Sequence, residues 1–179
     1  MKRICVFCGS NRGSDPAYAE AACGLADVLV TRGLGLVYGG AHRGLMGVLA
    51  DRVLSRGGEV IGVIPERMAA EEIAHLGVTE LVVVRDMHER KAVMAARADG
   101  FVAMPGGFGT LEELMEIVTW SQLGLHHKPF GVLNVEGYFD AFLAFVEHMQ
   151  VEGFIKPAHR DALRVAPDPQ GLLDMLDLP

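Results

Sequence analysis

The sequence predicts an α/β fold: a parallel sheet, doubly wound, with helices on both faces. Three observations point there. Short apolar runs alternate with amphipathic stretches along the whole chain, the pattern of repeated β-α-β units. Most of the short runs, such as Leu81-Val82-Val83-Val84 and Phe101-Val102-Ala103-Met104, are continuously apolar, as strands covered on both faces are. Glycines follow several of them, as in Gly9, Gly39-Gly40 and Gly106-Gly107, where a strand must turn into a helix. With 179 residues, half of them apolar, the chain reads as a single domain over 1–179, large enough for a real core.

Each element has its own signals. Residues 3–8 form the first strand. After a Gly/Ser-rich loop, Asp15 is a candidate N-cap with Pro16 at N1, opening a helix to about Arg32. Gly33 stops it. Gly35–Tyr38 is the second strand, Gly44–Ser55 the second helix, and Gly57-Gly58 its end. Glu59–Ile64 is the third strand, with Pro65 closing it. Residues 66–77 read as a weak helix or lid-like loop. The fourth strand is 81–84, and Asp86 then caps a helix with Glu89 three residues on. The 101–104 strand leads to a helix over 110–124. Residues 129–135 are a strand, 138–150 a helix, 163–165 a short strand and 169–177 a last helix.

The most informative stretch is Pro105-Gly106-Gly107-Phe108-Gly109-Thr110-Leu111-Glu112-Glu113. It joins a buried strand to a helix through three glycines. Free N–H groups and the dipole at a helix start favour phosphate. Thr110 reads as the N-cap, with Glu113 completing a capping box. Glu112 and Glu113, being adjacent, point about 100° apart, so one of them can face a pocket. In a parallel sheet, ligands bind outside the carboxyl ends of the strands. Gly9-Ser10, Gly39-Gly40, Met87–Lys91 and Gly106–Thr110 all fall there, and their convergence predicts one nucleotide pocket. Gly9-Ser10-Asn11-Arg12-Gly13 lacks GxGxxG spacing, so a mononucleotide is expected, not NAD. Ser10 is either a phosphate or ribose donor or a plain loop residue. Gly39-Gly40 serves either close backbone approach to the ligand or a simple turn.

The motif Pro-Gly-Gly-Phe-Gly-Thr-x-x-Glu resembles the PGGxGTxxE signature of the Lonely Guy (LOG) family, cytokinin riboside 5′-monophosphate phosphoribohydrolases long mislabelled as lysine decarboxylases. The resemblance runs over nearly the whole chain, including Cys8-Gly9-Ser10, Tyr38-Gly39-Gly40-Ala41, Gly44-Leu45-Met46-Gly47, Met87-His88-Glu89-Arg90-Lys91 and Thr119-Trp120-Ser121-Gln122-Leu123-Gly124. It implies a Rossmann-like fold and hydrolysis of the N-glycosidic bond of adenosine 5′-monophosphate or an N6-substituted form. It makes Arg90 and Glu113 the catalytic pair. With the glycine loops, the implied substrate-binding set is Gly9, Ser10, Gly39, Gly40, Glu72, Met87, Arg90, Lys91, Gly106, Gly107, Phe108, Gly109, Thr110, Leu111, Glu112, Glu113 and Thr119. Arg97, on the same helix, is a second cationic candidate, with Asp99 beside it as its partner or a turn cap. Phe108 stands where plant members commonly have tyrosine. Residues 68–73 are alanine-rich, which leaves the preference between plain and prenylated adenine open.

Composition narrows the function further. A net charge of −7 argues against broad nucleic-acid binding and places any phosphate site in a local pocket. No apolar run approaches a membrane span and the start lacks a signal-peptide pattern, so a cytoplasmic protein without membrane contact is expected. The three cysteines read as reduced thiols; Cys5 and Cys8 face opposite ways on a strand. The seven histidines form no HExxH or similar spacing, so no metal is expected, and no cofactor either. Lys2, Lys91, Lys128 and Lys156 offer no pyridoxal-type context, against the decarboxylase reading. The alternative is a non-catalytic nucleotide or cofactor carrier on the same scaffold. Leu123, Leu125, Phe139, Phe142 and Phe145 either fill the core or form a two-fold patch. The resemblance implies a homodimer.

Overall fold

The computed structural model describes residues 1–70 and 73–178. The strands are β1 (Arg3–Phe7), β2 (Gly35–Tyr38), β3 (Val60–Pro65), β4 (Glu80–Val84), β5 (Gly100–Ala103), β6 (Phe130–Leu133) and β7 (Leu163–Ala166). They form a seven-stranded parallel sheet in the order β4-β3-β2-β1-β5-β6-β7. The chain builds outward from β1 to β4, then returns to pair β5 on the other side of β1. The β1/β5 boundary is therefore the topological switch point of a Rossmann-like sheet.

The helices are α1 (Pro16–Thr31), α2 (Gly44–Ser55), α3 (Glu66–Ala70), α4 (Met87–Arg97), α5 (Phe108–Gln122), α6 (Asp140–Val151), α7 (Pro157–Ala162) and α8 (Pro169–Leu176). Side-chain alternation along the strands sorts the core into two layers. Ile4, Val6 and Cys8 pack with Leu25 and Leu29 of α1, Leu49 of α2 and Leu172 of α8. Cys5, Phe7, Val37 and Val63 pack with Met94 of α4 and with Leu114 and Ile117 of α5. Cys5 and Cys8 thus lie on opposite faces, buried and free.

The local signals act as read at most boundaries. Asp15 caps α1, its carboxylate accepting from the Ala17 N–H at 2.9 Å, and Pro16 follows. Gly33, at φ +66°, ends it. Asp86 caps α4 by accepting from the Glu89 N–H at 2.9 Å, and the Glu89 carboxylate returns to the Arg85 N–H. Four readings shift. Pro65 is the last paired residue of β3, opposite Val84. β6 stops at Leu133, and a 3₁₀ turn over Val135–Gly137 follows. The short α7, with Pro157 at its first turn, was absent from the sequence reading although proline at N1 announces it. α5 starts at Phe108 rather than Thr110. Among the described residues, no helix is long and apolar enough to cross a membrane.

Candidate functional site

The loops that leave β1 and β5 are tied together at the switch point. The Gly9 N–H donates to the Pro105 carbonyl at 3.0 Å, and the Leu45 N–H donates to the Gly9 carbonyl at 3.0 Å. Gly44 is in the left-handed region at φ +61°, and a Cβ there would stand 2.2 Å from the Ser10 carbonyl carbon. The Gly9-Ser10 turn, the β5 exit and the start of α2 are thereby held at one edge. Between them lies a cleft of ≈ 280 Å³ lined by Gly9, Ser10, Arg12, Tyr18, Gly106, Gly107 and Tyr138 among others. Tyr138 closes one side, its hydroxyl donating to the Gly106 carbonyl, and Tyr18 meets it edge to face at 5.6 Å.

The start of α5 corrects the capping-box reading. Gly107 is the N-cap and has no side chain to offer. Thr110 sits at the third helical position and is buried. The reason is steric: a Cβ on Gly106 would stand 2.1 Å from Thr110 Oγ1 and 2.9 Å from the Gly9 N. A bare Gly106 lets the Thr110 side chain fold back against the loop, and the helix begins two residues early. The first helical bond is from the Leu111 N–H to the Gly107 carbonyl at 3.2 Å. The amides of Phe108, Gly109 and Thr110 precede it, and no side-chain cap takes them up. Gly107 and Gly109 face open space. Phe108 is 93% exposed.

Arg90 and Glu113 come together on the α4/α5 face. Arg90 is buried, its Nε donating to the Val63 carbonyl at 3.0 Å and its Nη2 to the Gly39 carbonyl at 2.9 Å. Its Nη1 lies 3.6 Å from Met87 Sδ and 3.8 Å from Glu113 Oε1. At 3.8 Å the pair attracts without a hydrogen bond. Among the described residues nothing else donates to the Glu113 carboxylate. Burial raises the Glu113 acid from 4.5 to about 6, against the lowering pull of Arg90 and with a further push from Glu112. The arrangement is a buried cation with an unspent donor facing a basic carboxylate. Such a pair can orient water and stabilise positive charge on a bound ligand.

The other sequence candidates divide. Lys91 is nearly buried and bridges Glu112 and Glu116, the latter at 3.2 Å, so it joins α4 to α5. Glu112 points away from Glu113, to this bridge. Leu111 is half-buried in the core. Thr119 is exposed on α5, two turns beyond Glu112. Gly40, at φ +74°, packs against Val63 and Ile64. Gly39 and Gly40 are both buried. Arg97 lies outside the site: it forks onto Glu80 of β4 with two bonds of 3.0 Å. Seven residues beyond Arg90, it is about 10 Å down the helix, toward the amino ends of the strands. Asp99 does not pair with it; the Asp99 carboxylate accepts from the Arg3 N–H at 2.8 Å. Glu72 lies outside the described residues. Tyr18 and Tyr138 are cleft residues that sequence reading missed; an aromatic just after the α1 cap and one after β6 were the available signals. Among the described residues, no group of three His, Cys, Asp or Glu is placed to hold a metal.

Comparison with known proteins places the chain in a family. A family model with the description "Possible lysine decarboxylase" matches residues 46–176. The chain is 51% identical over 177 residues to "Probable cytokinin riboside 5'-monophosphate phosphoribohydrolase LOGL3" of Oryza sativa subsp. japonica, covering 99% of this chain and 84% of that one. It is 49% identical over 177 residues to "Cytokinin riboside 5'-monophosphate phosphoribohydrolase LOG5" of Arabidopsis thaliana, covering 99% and 78%. Among solved structures, the fold is shared with the molybdenum cofactor binding protein of Rippkaea orientalis, at TM-score 0.73, 19% identity and coverage of 98% and 95%. It is also shared with the molybdenum cofactor carrier protein of Chlamydomonas reinhardtii, at TM-score 0.73, 22% identity and coverage of 97% and 94%. At that identity the two structures speak to fold alone. The identity to the plant proteins is taken over 99% of this chain, and on it this chain belongs to the LOG family.

Proposed function

We propose that this protein is a phosphoribohydrolase that cleaves the N-glycosidic bond of an adenosine 5′-monophosphate, plain or N6-substituted, to give the free base and ribose 5-phosphate. The observation that carries the reading is the buried Arg90–Glu113 pair at 3.8 Å, one turn along α5 from three uncapped amides. Glu113 is about 4.5 Å along the helix axis from Thr110. That offset is comparable to the span from a nucleotide's phosphate to its anomeric carbon. The 5′-phosphate sits on the amides of Phe108, Gly109 and Thr110, where the dipole favours an anion. C1′ then lies over Glu113.

Cleavage of the C1′–N bond builds positive charge on the ribose, as in glycoside hydrolysis. The Glu113 carboxylate stabilises that charge and takes a proton from the attacking water. A pKa of about 6 suits this, because the group is ionised at neutral pH yet remains a competent base. Water oxygen goes to C1′, the C1′–N electrons leave with the base, and a proton from water ends on the base. Arg90 offers Nη1 to the nucleotide and fixes it against Glu113. Met87 and Phe108, exposed beside the pair, supply apolar surface for the base, with Ser10 and the Gly9 turn on the phosphate side.

The site is proposed to be completed in a homodimer. The switch-point cleft reaches Gly106 and Gly107 but includes neither Arg90 nor Glu113. Met87, Phe108, Leu123, Leu125 and Phe145 stand exposed on the α4, α5 and α6 side. A second copy seated there buries these side chains and walls the catalytic pair. We further read residues 1–179 as one cytoplasmic domain that binds no nucleic acid, since the net charge is −7. The test is incubation with AMP and with N6-isopentenyladenosine monophosphate, followed by chromatography. Free base and ribose 5-phosphate in equal amounts support the reading. Nucleotide bound but recovered intact after overnight incubation would leave a carrier instead.

A further inference from the structure

We infer that Gly39 is a positioning residue that acts through Arg90, its bare backbone being the socket that keeps the guanidinium aimed at Glu113. This rests on the proposed pairing of Arg90 with Glu113. Gly39 opens the turn out of β2 and its φ is outside the left-handed region, so the backbone itself would accept alanine. The obstacle is space. A Cβ at Gly39 would stand 2.0 Å from Arg90 Nη2 and 3.2 Å from Cζ. Met46 Sδ, at 2.9 Å, is the end of a flexible chain and can move aside. The guanidinium cannot, because its Nε is held by the Val63 carbonyl and its Nη2 by the carbonyl of Gly39 itself.

Those two carbonyls, from the β2 exit and from β3, take two of the three guanidinium nitrogens; Nη1, which also donates to Met87 Sδ at 3.6 Å, faces Glu113 and the nucleotide. Both donors on the socket side are satisfied without a carboxylate, so the buried cation keeps its charge for the site. Gly40 differs: its φ of +74° and its contact with Val63 and Ile64 make it a turn residue. Gly39 is buried and reaches the nucleotide only through the arginine it houses.

The test compares kcat/KM for AMP in the full-length wild type, Gly39→Ala, Arg90→Lys and the double variant, together with pH profiles and thermal melts. Gly39→Ala should lower kcat/KM by about 100-fold, mainly in kcat, the effect of losing one aimed donor. Its acidic limb should also move to higher pH, since Glu113 loses the cation that pulls its pKa down. Lysine has no Nη2 for the added methyl to strike. In the Arg90→Lys background, Gly39→Ala should therefore cost less than about threefold. An equal loss in both backgrounds, or a Gly39→Ala enzyme with unchanged kcat/KM and unchanged limb, overturns the socket. If Arg90→Lys is impaired and Gly39→Ala is silent, the socket alone fails. If Arg90→Lys keeps wild-type kcat/KM, the role given to Arg90 fails and the socket with it. Should Gly39→Ala not fold, the melt of the double variant decides: recovery supports the socket, equal loss refutes it.

Discussion

Glu113→Gln should make this protein more stable and inactive at once. The carboxyl is raised from 4.5 to about 6, first by burial, with Arg90 offsetting part of the effect. An acid whose pKa is higher folded than unfolded holds its proton more tightly in the fold. Stability from this group is therefore full below about pH 4.5 and is lost as pH rises through about 6. At pH 7.5 the ionised carboxylate costs about 2 kcal/mol, taking about 1.5 pH units at 1.36 kcal/mol each. The Glu113 side chain is only 11% exposed, so solvent screening reduces this little. Glutamine is neutral at every pH. Urea unfolding should show Glu113→Gln more stable than wild type by up to about 2 kcal/mol at pH 7.5 and equal to it at pH 4. Base release should fall by about 10²–10⁴ at pH 7.5. A variant no more stable than wild type at pH 7.5, or stabilised equally at pH 4, would refute the burial argument.

Wild-type kcat/KM should fall about tenfold per pH unit below about 6, the limb set by Glu113, and a profile flat to pH 5 would remove Glu113 as base. Gly106→Ala should lose about 1–3 kcal/mol, because its Cβ meets Thr110 and the Gly9 amide, measured by urea unfolding. Gly109→Ala, which faces open space on a helix, should hold or gain stability, by up to about 1 kcal/mol, yet raise KM for AMP where the phosphate needs that room. Light scattering should give twice the chain mass at micromolar concentration, and Phe145→Glu, at 59% exposed, should shift it toward monomer; monomer for wild type would end the dimer reading.

Strand and helix order were legible because they rest on local chemistry: apolar runs, Asp15-Pro16, Asp86 with Glu89, and Gly33. The edge on which the glycine loops meet followed from topology alone. What failed was long-range. Thr110 carries a good capping sequence, yet Gly106 lets its side chain turn inward and hands the cap to Gly107. Arg97 repeats the phase of Arg90, but the strand beneath it begins with Glu80. Gly39 read as either a close approach to ligand or a plain turn, and the arginine packed against it lies 51 residues away. Such partners are set by packing across the sheet, and no local pattern encodes them.

The most direct measurement is the structure of Glu113→Gln, unable to turn over, with AMP bound. Phosphate is expected on the amides of Phe108, Gly109 and Thr110, Arg90 against the nucleotide, and the substituted side chain within about 3.5 Å of C1′ or of a water poised on it. Phosphate lodged away from the α5 start, or an anomeric carbon facing away from position 113, would contradict it.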